Sequence, residues 1–251
     1  MTTTDARLAA KLAERAGLLL LQLASTSGLT GKELGKLGDA RANELLLAEL
    51  HGTRPGDAVL SEEEKDSPGR LSADRVWIID PLDGTREYGM PGRPDWAVHV
   101  ALWERGADAI TAAAVAQPDL GTVYASDEAR ATSTESTVVL VSDSRPPTFA
   151  GPVAEKLGYQ LRPMGSAGAK AMAVVRGDSA AYVHAGGQWE WDSAAPVGVA
   201  LAAGLHASRI DGSPLKYNSE TPYLPDLLIC RPELADTFLA AIAEQTAGDG
   251  A

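Results

Sequence analysis

The segment Val76-Trp77-Ile78-Ile79-Asp80-Pro81-Leu82-Asp83-Gly84-Thr85 constrains this chain more than any other. An apolar run of the kind that forms a buried strand leads directly into two aspartates separated by a Pro-Leu turn. Pro81 restrains φ and has no N–H to donate, and Gly84 admits close backbone approach. Asp83 and the Leu82 carbonyl can therefore turn toward the same point as Asp80. Oxygen atoms converging in this way suit a hard cation such as Mg²⁺, which leaves positions open for water and a phosphate. Asp83-Gly84 alone reads as an ordinary turn after an edge strand. The whole string Asp80 to Thr85 is expected well under ~1 time in 1,000 in a random chain of this size.

Two further segments add carboxylates. Leu60-Ser61-Glu62-Glu63-Glu64 ends a short strand in three acids, which in isolation reads as a solvated loop. Trp191-Asp192-Ser193-Ala194-Ala195 begins an apolar helix, where Asp192 in isolation reads as an N-cap and Trp191 as a core anchor. Their joint presence with the central string carries the inference.

The remaining sequence sets out the frame. Thr2 to Asp5 offer N-caps for a helix over roughly 6–25, with Leu8, Leu12, Leu19 and Leu23 on one face. The run Gly17 to Leu23 belongs to that helix: it follows a polar stretch, lacks an Ala-x-Ala cleavage site, and is too short to span a bilayer. A second helix is expected over Ala40 to Leu50, and strands near 58–61, 75–79, 96–103, 110–117, 122–126 and 138–142, largely antiparallel. Ser144-Arg145-Pro146-Pro147 reads as a boundary between an α+β half, 1–145, and an α/β half, 146–251. In the second half, helices are expected near 148–157, 168–176, 193–203 and 232–245, with strands near 180–184 and 227–230.

Composition narrows the function classes. A formal charge of −12 argues against a nucleic-acid polymer as partner, because that binding rests on a surplus of Lys and Arg. A small anion is compatible with it, since bound divalent cations reverse the sign of a local site. The single cysteine, Cys230, excludes an intrachain disulfide and a multi-cysteine zinc site and fits a reducing compartment, the cytoplasm by default.

In these motifs the sequence resembles the inositol monophosphatase superfamily of lithium-sensitive, magnesium-dependent phosphatases. Asp80 to Thr85 match its first signature, Ser61-Glu62-Glu63 its acidic strand end, and Trp191 to Ala195 its second signature. The resemblance implies a five-layered α-β-α-β-α fold and two or three Mg²⁺ ions held by Glu63, Asp80, the Leu82 carbonyl, Asp83 and Asp192. Glu63 is preferred over Glu62 on alignment alone, which makes the second of the pair the ligand. The resemblance further implies that Thr85 and Asp39, the latter at the start of the second helix, orient the attacking water. Gly84 and Thr85 open a short helix whose N–H groups suit a phosphate oxygen. A homodimer is implied as well.

Within the superfamily, Thr85-Arg86-Glu87-Tyr88 is similar to the CysQ-type 3′(2′),5′-bisphosphate nucleotidases. Ser166 to Lys170 places Lys170 where those enzymes hold the nucleotide's remaining phosphate. Ala185 stands where inositol monophosphatases commonly present a glutamate. His184 stands where CysQ-type enzymes tend to have an arginine, and reads as either a substrate contact or a structural imidazole. Trp189 fits stacking on adenine and packing between the halves equally. The activity implied is hydrolysis of the 3′-phosphate of adenosine 3′,5′-bisphosphate to AMP and phosphate, in sulfur assimilation. The alternatives are an inositol- or sugar-phosphate phosphatase of the fructose-1,6-bisphosphatase type and, from another class, a non-catalytic metal- or phosphate-binding protein.

Overall fold

The computed structural model describes residues 4–132 and 135–247. Of the candidate caps for the first helix, Thr2 and Thr3 lie outside the described residues. Thr4 does the capping: its hydroxyl accepts from Arg7 N at 3.3 Å, opening α1 (Asp5–Thr26). Helix α2 runs over Gly31–Thr53, starting well before residue 40. Asp39 consequently lies inside the helix and not at its start. Two glycines of this helix are contact points. A Cβ on Gly35 would stand 2.6 Å from Thr85 Cγ2, and one on Gly38 would stand 2.8 Å from the Tyr88 ring. Small residues on this face let the helix approach the segment after Asp83 closely enough to bring Asp39 to it.

The first sheet follows: β1 (Ala58–Ser61), β2 (Arg75–Asp83), the short α3 (Thr85–Tyr88), β3 (Ala97–Glu104), β4 (Ala109–Gln117) and β5 (Thr122–Ala125). Its strands lie in the order β1-β2-β3-β4-β5, with β1 parallel to β2 and the other neighbours antiparallel. Strand alternation divides its apolar side chains between two layers. Trp77, Ile79, Val98 and Val100 pack beneath α1 and α2, while Val76, Ile78, Ala97 and Ala101 face the opposite way.

Next come β6 (Val138–Ser142), α4 (Ala150–Leu157), β7 (Gln160–Met164), α5 (Ala167–Arg176), β8 (Ala181–Trp189), α6 (Glu190–Ala202), β9 (His206–Ser208), β10 (Tyr223–Cys230) and α7 (Ala235–Thr246). The second sheet has the order β7-β6-β8-β10-β9. Thus β6, which precedes the Pro146-Pro147 turn, pairs with strands that follow it, and the chain changes sheet between Ala125 and Val138. Helices α5 and α6 fill the space between the sheets, sharing one core with Ile78, Val115, Tyr182 and Leu227. Helices α4 and α7 cover the outer face through Phe149, Val153, Phe238 and Ile242. The layering is the expected α-β-α-β-α. Strands β7 and β9 were not legible in the sequence: β7 is an edge strand with a proline and mostly exposed residues, and β9 has only three residues.

Two glycines of α2 should respond oppositely to alanine. At Gly38 the new methyl meets Tyr88, Leu20 and Leu82 at 3.0 Å or less, whereas at Gly52 nothing lies within 4 Å. Gly52→Ala should gain up to about 1 kcal/mol from helix propensity. Gly38→Ala should lose about 1–3 kcal/mol to overpacking, less whatever propensity returns. Urea unfolding of both variants checks this, and equal stabilisation would remove the close-approach account of α2.

Candidate metal centre and substrate pocket

The acidic centre is assembled by strand parity. In the parallel pairing, Leu60 lies opposite Ile78 and Ser61 opposite Ile79, so the next residue, Glu62, falls beside Asp80. The Glu62 N–H still reaches the Ile79 carbonyl at 3.4 Å. Leu60 and Ile78 belong to the layer between the sheets, and Glu62 and Asp80 continue that face. Ser61 and Glu63 take the other parity: the Ser61 hydroxyl donates to Asn43 of α2, and Glu63 raises the pKa of Asp39 through its charge. The structure therefore brings Glu62, and not Glu63, to Asp80. Alignment alone selected Glu63, which takes the opposite parity.

Asp83 would by simple alternation point away from Asp80. It does not, because Asp80 pairs with His99 while Asp83 pairs with Ala97, and the extra residue in β2 forms a bulge at Pro81-Leu82. Both aspartates thereby face α6. There, Asp192 sits in the first turn, where its carboxylate accepts the Trp189 N–H at 2.6 Å. Asp80, Asp83 and Asp192 each offer an oxygen within 4.8 Å of the others'.

These acids repel one another out of water. Burial of the carboxyl group, then the neighbouring charge of Asp192, lifts Glu62 to about 8, although the residue as a whole is exposed. Burial and the Glu62 charge hold Asp80 well above the usual carboxylate range. Burial and Asp83 raise Asp192 to about 6. Asp83 goes the other way: burial would raise it, but the His99 imidazole, Lys170 and the Ser166 hydroxyl bring it down to about 2. Its Oδ2 accepts from Ser166 Oγ and from Gly168 N at 2.7 Å, with His99 Nε2 3.2 Å away. Asp80 Oδ2, fully buried, has no hydrogen-bond partner. An orphaned carboxylate oxygen among like charges is what a divalent cation would satisfy, and an all-oxygen donor set suits Mg²⁺.

Thr85 Oγ1 lies 3.1 Å from the Leu82 carbonyl and 3.3 Å from Asp39 Oδ1. Burial, then Glu63, raises Asp39 to about 7. Gly84, in the left-handed region at φ 89°, has no room for a side chain against Asp95 O, Ser166 and Trp96. Beside these residues opens a cavity of about 370 Å³ whose lining includes Asp83, Thr85, Arg145, Ser166, Lys170 and His184.

Ser166, Lys170 and His184 are thus brought to one pocket, but their free valences differ from expectation. Lys170 Nζ donates to the carbonyls of Met164, Gly165 and Ser166, which occupies all three of its protons. Burial lowers it to about 8 against the pull of Asp83. Burial also lowers His184 to about 4, so the ring is neutral, with Nε2 3.0 Å from the Gly187 carbonyl. Trp189 is half exposed, stacked on Trp191 at 5.4 Å and met edge-on by Tyr223. His99 is the residue that sequence reasoning missed. A Cβ on Gly168 would lie 2.1 Å from its Nε2, so glycine there lets α5 settle onto His99 and Asp83 together. Among the described residues, no helix is long and apolar enough to cross a membrane.

Residues 2–247 match the model of the inositol monophosphatase family. The chain is 55% identical over 255 residues to a Mycobacterium leprae protein named 3′-phosphoadenosine 5′-phosphate phosphatase, covering 96% of this chain and 94% of that one. It is 31% identical over 203 residues to the Escherichia coli 3′(2′),5′-bisphosphate nucleotidase CysQ, covering 74% and 80%. The fold is similar to that of CysQ from Bacteroides thetaiotaomicron, with a TM-score of 0.76 and 23% identity over 90% of this chain and 97% of that one.

The electrostatics fix how stability depends on pH. Glu62, Asp80 and Asp192 bind their protons more tightly folded than unfolded. Their contribution is therefore full below about pH 4 and is lost as pH rises through about 6–8. Asp83 has the opposite sign, and its contribution is lost only as pH falls toward 2. The metal-free protein should lose stability between pH 5 and 8, and Mg²⁺ should raise its Tm more at pH 8 than at pH 6. Asp80→Asn should raise the Tm of the metal-free protein at pH 8 and abolish the Mg²⁺ effect. Thermal unfolding with and without chelator measures both; a Mg²⁺ shift independent of pH would contradict the cluster's electrostatics.

Proposed function

The chain belongs to the inositol monophosphatase family, and on that footing we propose that it is a magnesium-dependent phosphatase that removes the 3′-phosphate of adenosine 3′,5′-bisphosphate, giving AMP and phosphate. The observation that carries this reading is the convergence of Asp80, Asp83, Asp192 and Glu62, with an unsatisfied Asp80 oxygen, beside an open cavity of about 370 Å³. The substrate is supported by the name of the 55% identical relative. A role in sulfur assimilation follows from the same likeness.

Glu62, Asp80, Asp83, Asp192 and the Leu82 carbonyl are the ligands in this reading, Glu62 replacing Glu63. Bound Mg²⁺ supplies Lewis acidity toward water and neutralises phosphate oxygens during in-line displacement. The protein's own groups do the positioning. Thr85, between the Leu82 carbonyl and Asp39, orients the nucleophilic water, and Asp39 accepts the proton passed through the threonine hydroxyl. Glu63, next to Asp39, holds that carboxylate's proton affinity up.

Phosphate release from adenosine 3′,5′-bisphosphate, inositol 1-phosphate and fructose 1,6-bisphosphate, measured side by side with Mg²⁺, tests the substrate. A higher kcat/KM for either of the last two would overturn it. Asp192→Asn should lower kcat at least about 100-fold with Mg²⁺ affinity falling in parallel and the circular dichroism unchanged. Li⁺ should inhibit, and Ca²⁺, with its larger radius and looser geometry, should not replace Mg²⁺. Full turnover in Ca²⁺ alone would contradict the positioning argument.

A further inference from the structure

The pocket wall opposite the acids is a product of topology. Strands β6 and β7 lie side by side and parallel. The loop leaving β6 leads to α4 on the outer face of the second sheet, while the loop leaving β7 leads to α5 between the sheets. Loops that diverge to opposite faces open a crevice at the carboxyl ends of the strands, where open α/β sheets receive ligands. Ser142 to Arg145 form one side of this crevice and Gly165 to Ala167 the other. The segment that reads in sequence as a boundary between halves is a wall of the pocket.

Three cations line that pocket. Arg86 is held by Glu87, at 2.8 Å from Nε, and by Asp143. Lys170 is saturated by carbonyls. The Arg145 guanidinium has no hydrogen bond or ion pair with any described residue, yet its backbone is fixed: its N–H donates to Ser142 Oγ at 3.2 Å, and Pro146 follows. It lies near enough to the buried His184 to act on it electrostatically. Lys170 acts on the same ring, but its donors are taken up by carbonyls, whereas those of Arg145 are open.

We propose that Arg145 is the specificity residue that binds the second phosphate of the substrate, the one that is not cleaved. The proposal rests on the bisphosphate reading above and moves this role from Lys170 to Arg145. With the metal centre gripping the reacting phosphate, a second phosphate lying over the crevice meets Glu87 and Asp143 unless a cation with open donors stands there. A guanidinium offers two parallel N–H groups to phosphate oxygens, a pairing that ammonium groups cannot reproduce. Lys170 instead ties the β7–α5 loop together and lends positive charge to Asp83.

The test is a selectivity ratio: kcat/KM on adenosine 3′,5′-bisphosphate divided by that on 3′-AMP, which lacks the 5′-phosphate. Arg145→Ala should lower the ratio by about 10- to 100-fold, chiefly through KM on the bisphosphate. Arg145→Lys should restore part of it. Lys170→Met should weaken both substrates alike and leave the ratio within about threefold of wild type. An unchanged ratio in Arg145→Ala, or a ratio lost in Lys170→Met but kept in Arg145→Ala, overturns the assignment. Failure of the substrate reading is seen separately, in the wild-type enzyme alone, as a preference for inositol 1-phosphate or fructose 1,6-bisphosphate over the nucleotide.

Discussion

Negative charge confined away from water is the constraint to which the rest of this molecule answers. Asp80 is buried with Glu62, Asp83 and Asp192 around it, and each raises its cost of ionisation. Left alone, such a group would take up protons or splay apart. The fold prevents splaying. β1 and β2 hold Glu62 and Asp80 in one parallel ladder, the bulge in β2 fixes Asp83, and α6 is wedged between two sheets with Asp192 in its first turn. The His99 ring, the first turn of α5 and Lys170 gather on one side of the cluster, at Asp83. The result is an asymmetric cluster, in which Asp83 is ionised while burial and mutual repulsion hold Glu62, Asp80 and Asp192 toward their protonated forms.

The apolar layers serve that asymmetry. Gly35 lets α2 approach Thr85, and Gly168 lets α5 approach His99, each at a distance no other residue allows. Arg70, fully buried in the first half, donates to Asp66, Asn218 and the Ser219 carbonyl, while Glu190 at the head of α6 accepts from the N–H groups of Asn218 and Ser219. The loop through 218–219 is thus clamped from both sides, and the clamp ties the acidic loop after β1 to the helix that carries Asp192.

What could be read from the sequence followed covalent neighbourhood. Asp80, Leu82, Asp83 and Thr85 are adjacent, so their convergence needed only the chemistry of Pro81 and Gly84. Asp192 was legible as a carboxylate at the head of an apolar helix. Glu62 was within reach too, since alternation from Leu60 puts it beside Asp80, but Glu63 was selected by alignment to the family's Glu-Glu pair. His99 was not legible. In Ala97-Val98-His99-Val100-Ala101 it is one polar residue in an apolar strand, and its meaning depends on Asp80 lying across the ladder and on Trp191, whose carbonyl its Nδ1 meets at 3.0 Å. Lys170 was correctly brought to the pocket, but which of its protons remain free is a matter of loop geometry that no sequence pattern encodes. Asp39 was placed at a helix start because the second helix was read only over its apolar stripe, Ala40 to Leu50, whereas the helix opens at Gly31.

The separation in sequence between Asp83 and Asp192 has a consequence for biosynthesis. All five strands of the first sheet lie between residues 58 and 125, so that sheet can pair while the rest of the chain is still being translated. At that stage Glu62, Asp80, Asp83 and His99 would be gathered without α5 or α6, and therefore without the Ser166 and Gly168 donors, Lys170 or the fourth carboxylate. A nascent chain in this condition exposes the apolar face that α5 and α6 later cover, along with acids that still lack their partners on α5. Emergence of α5 and then α6 from the ribosome covers that face, brings Lys170 and completes the cluster. The folding of this protein is accordingly expected to stay incomplete on the ribosome until late in synthesis, with the metal-binding centre among the last features to appear.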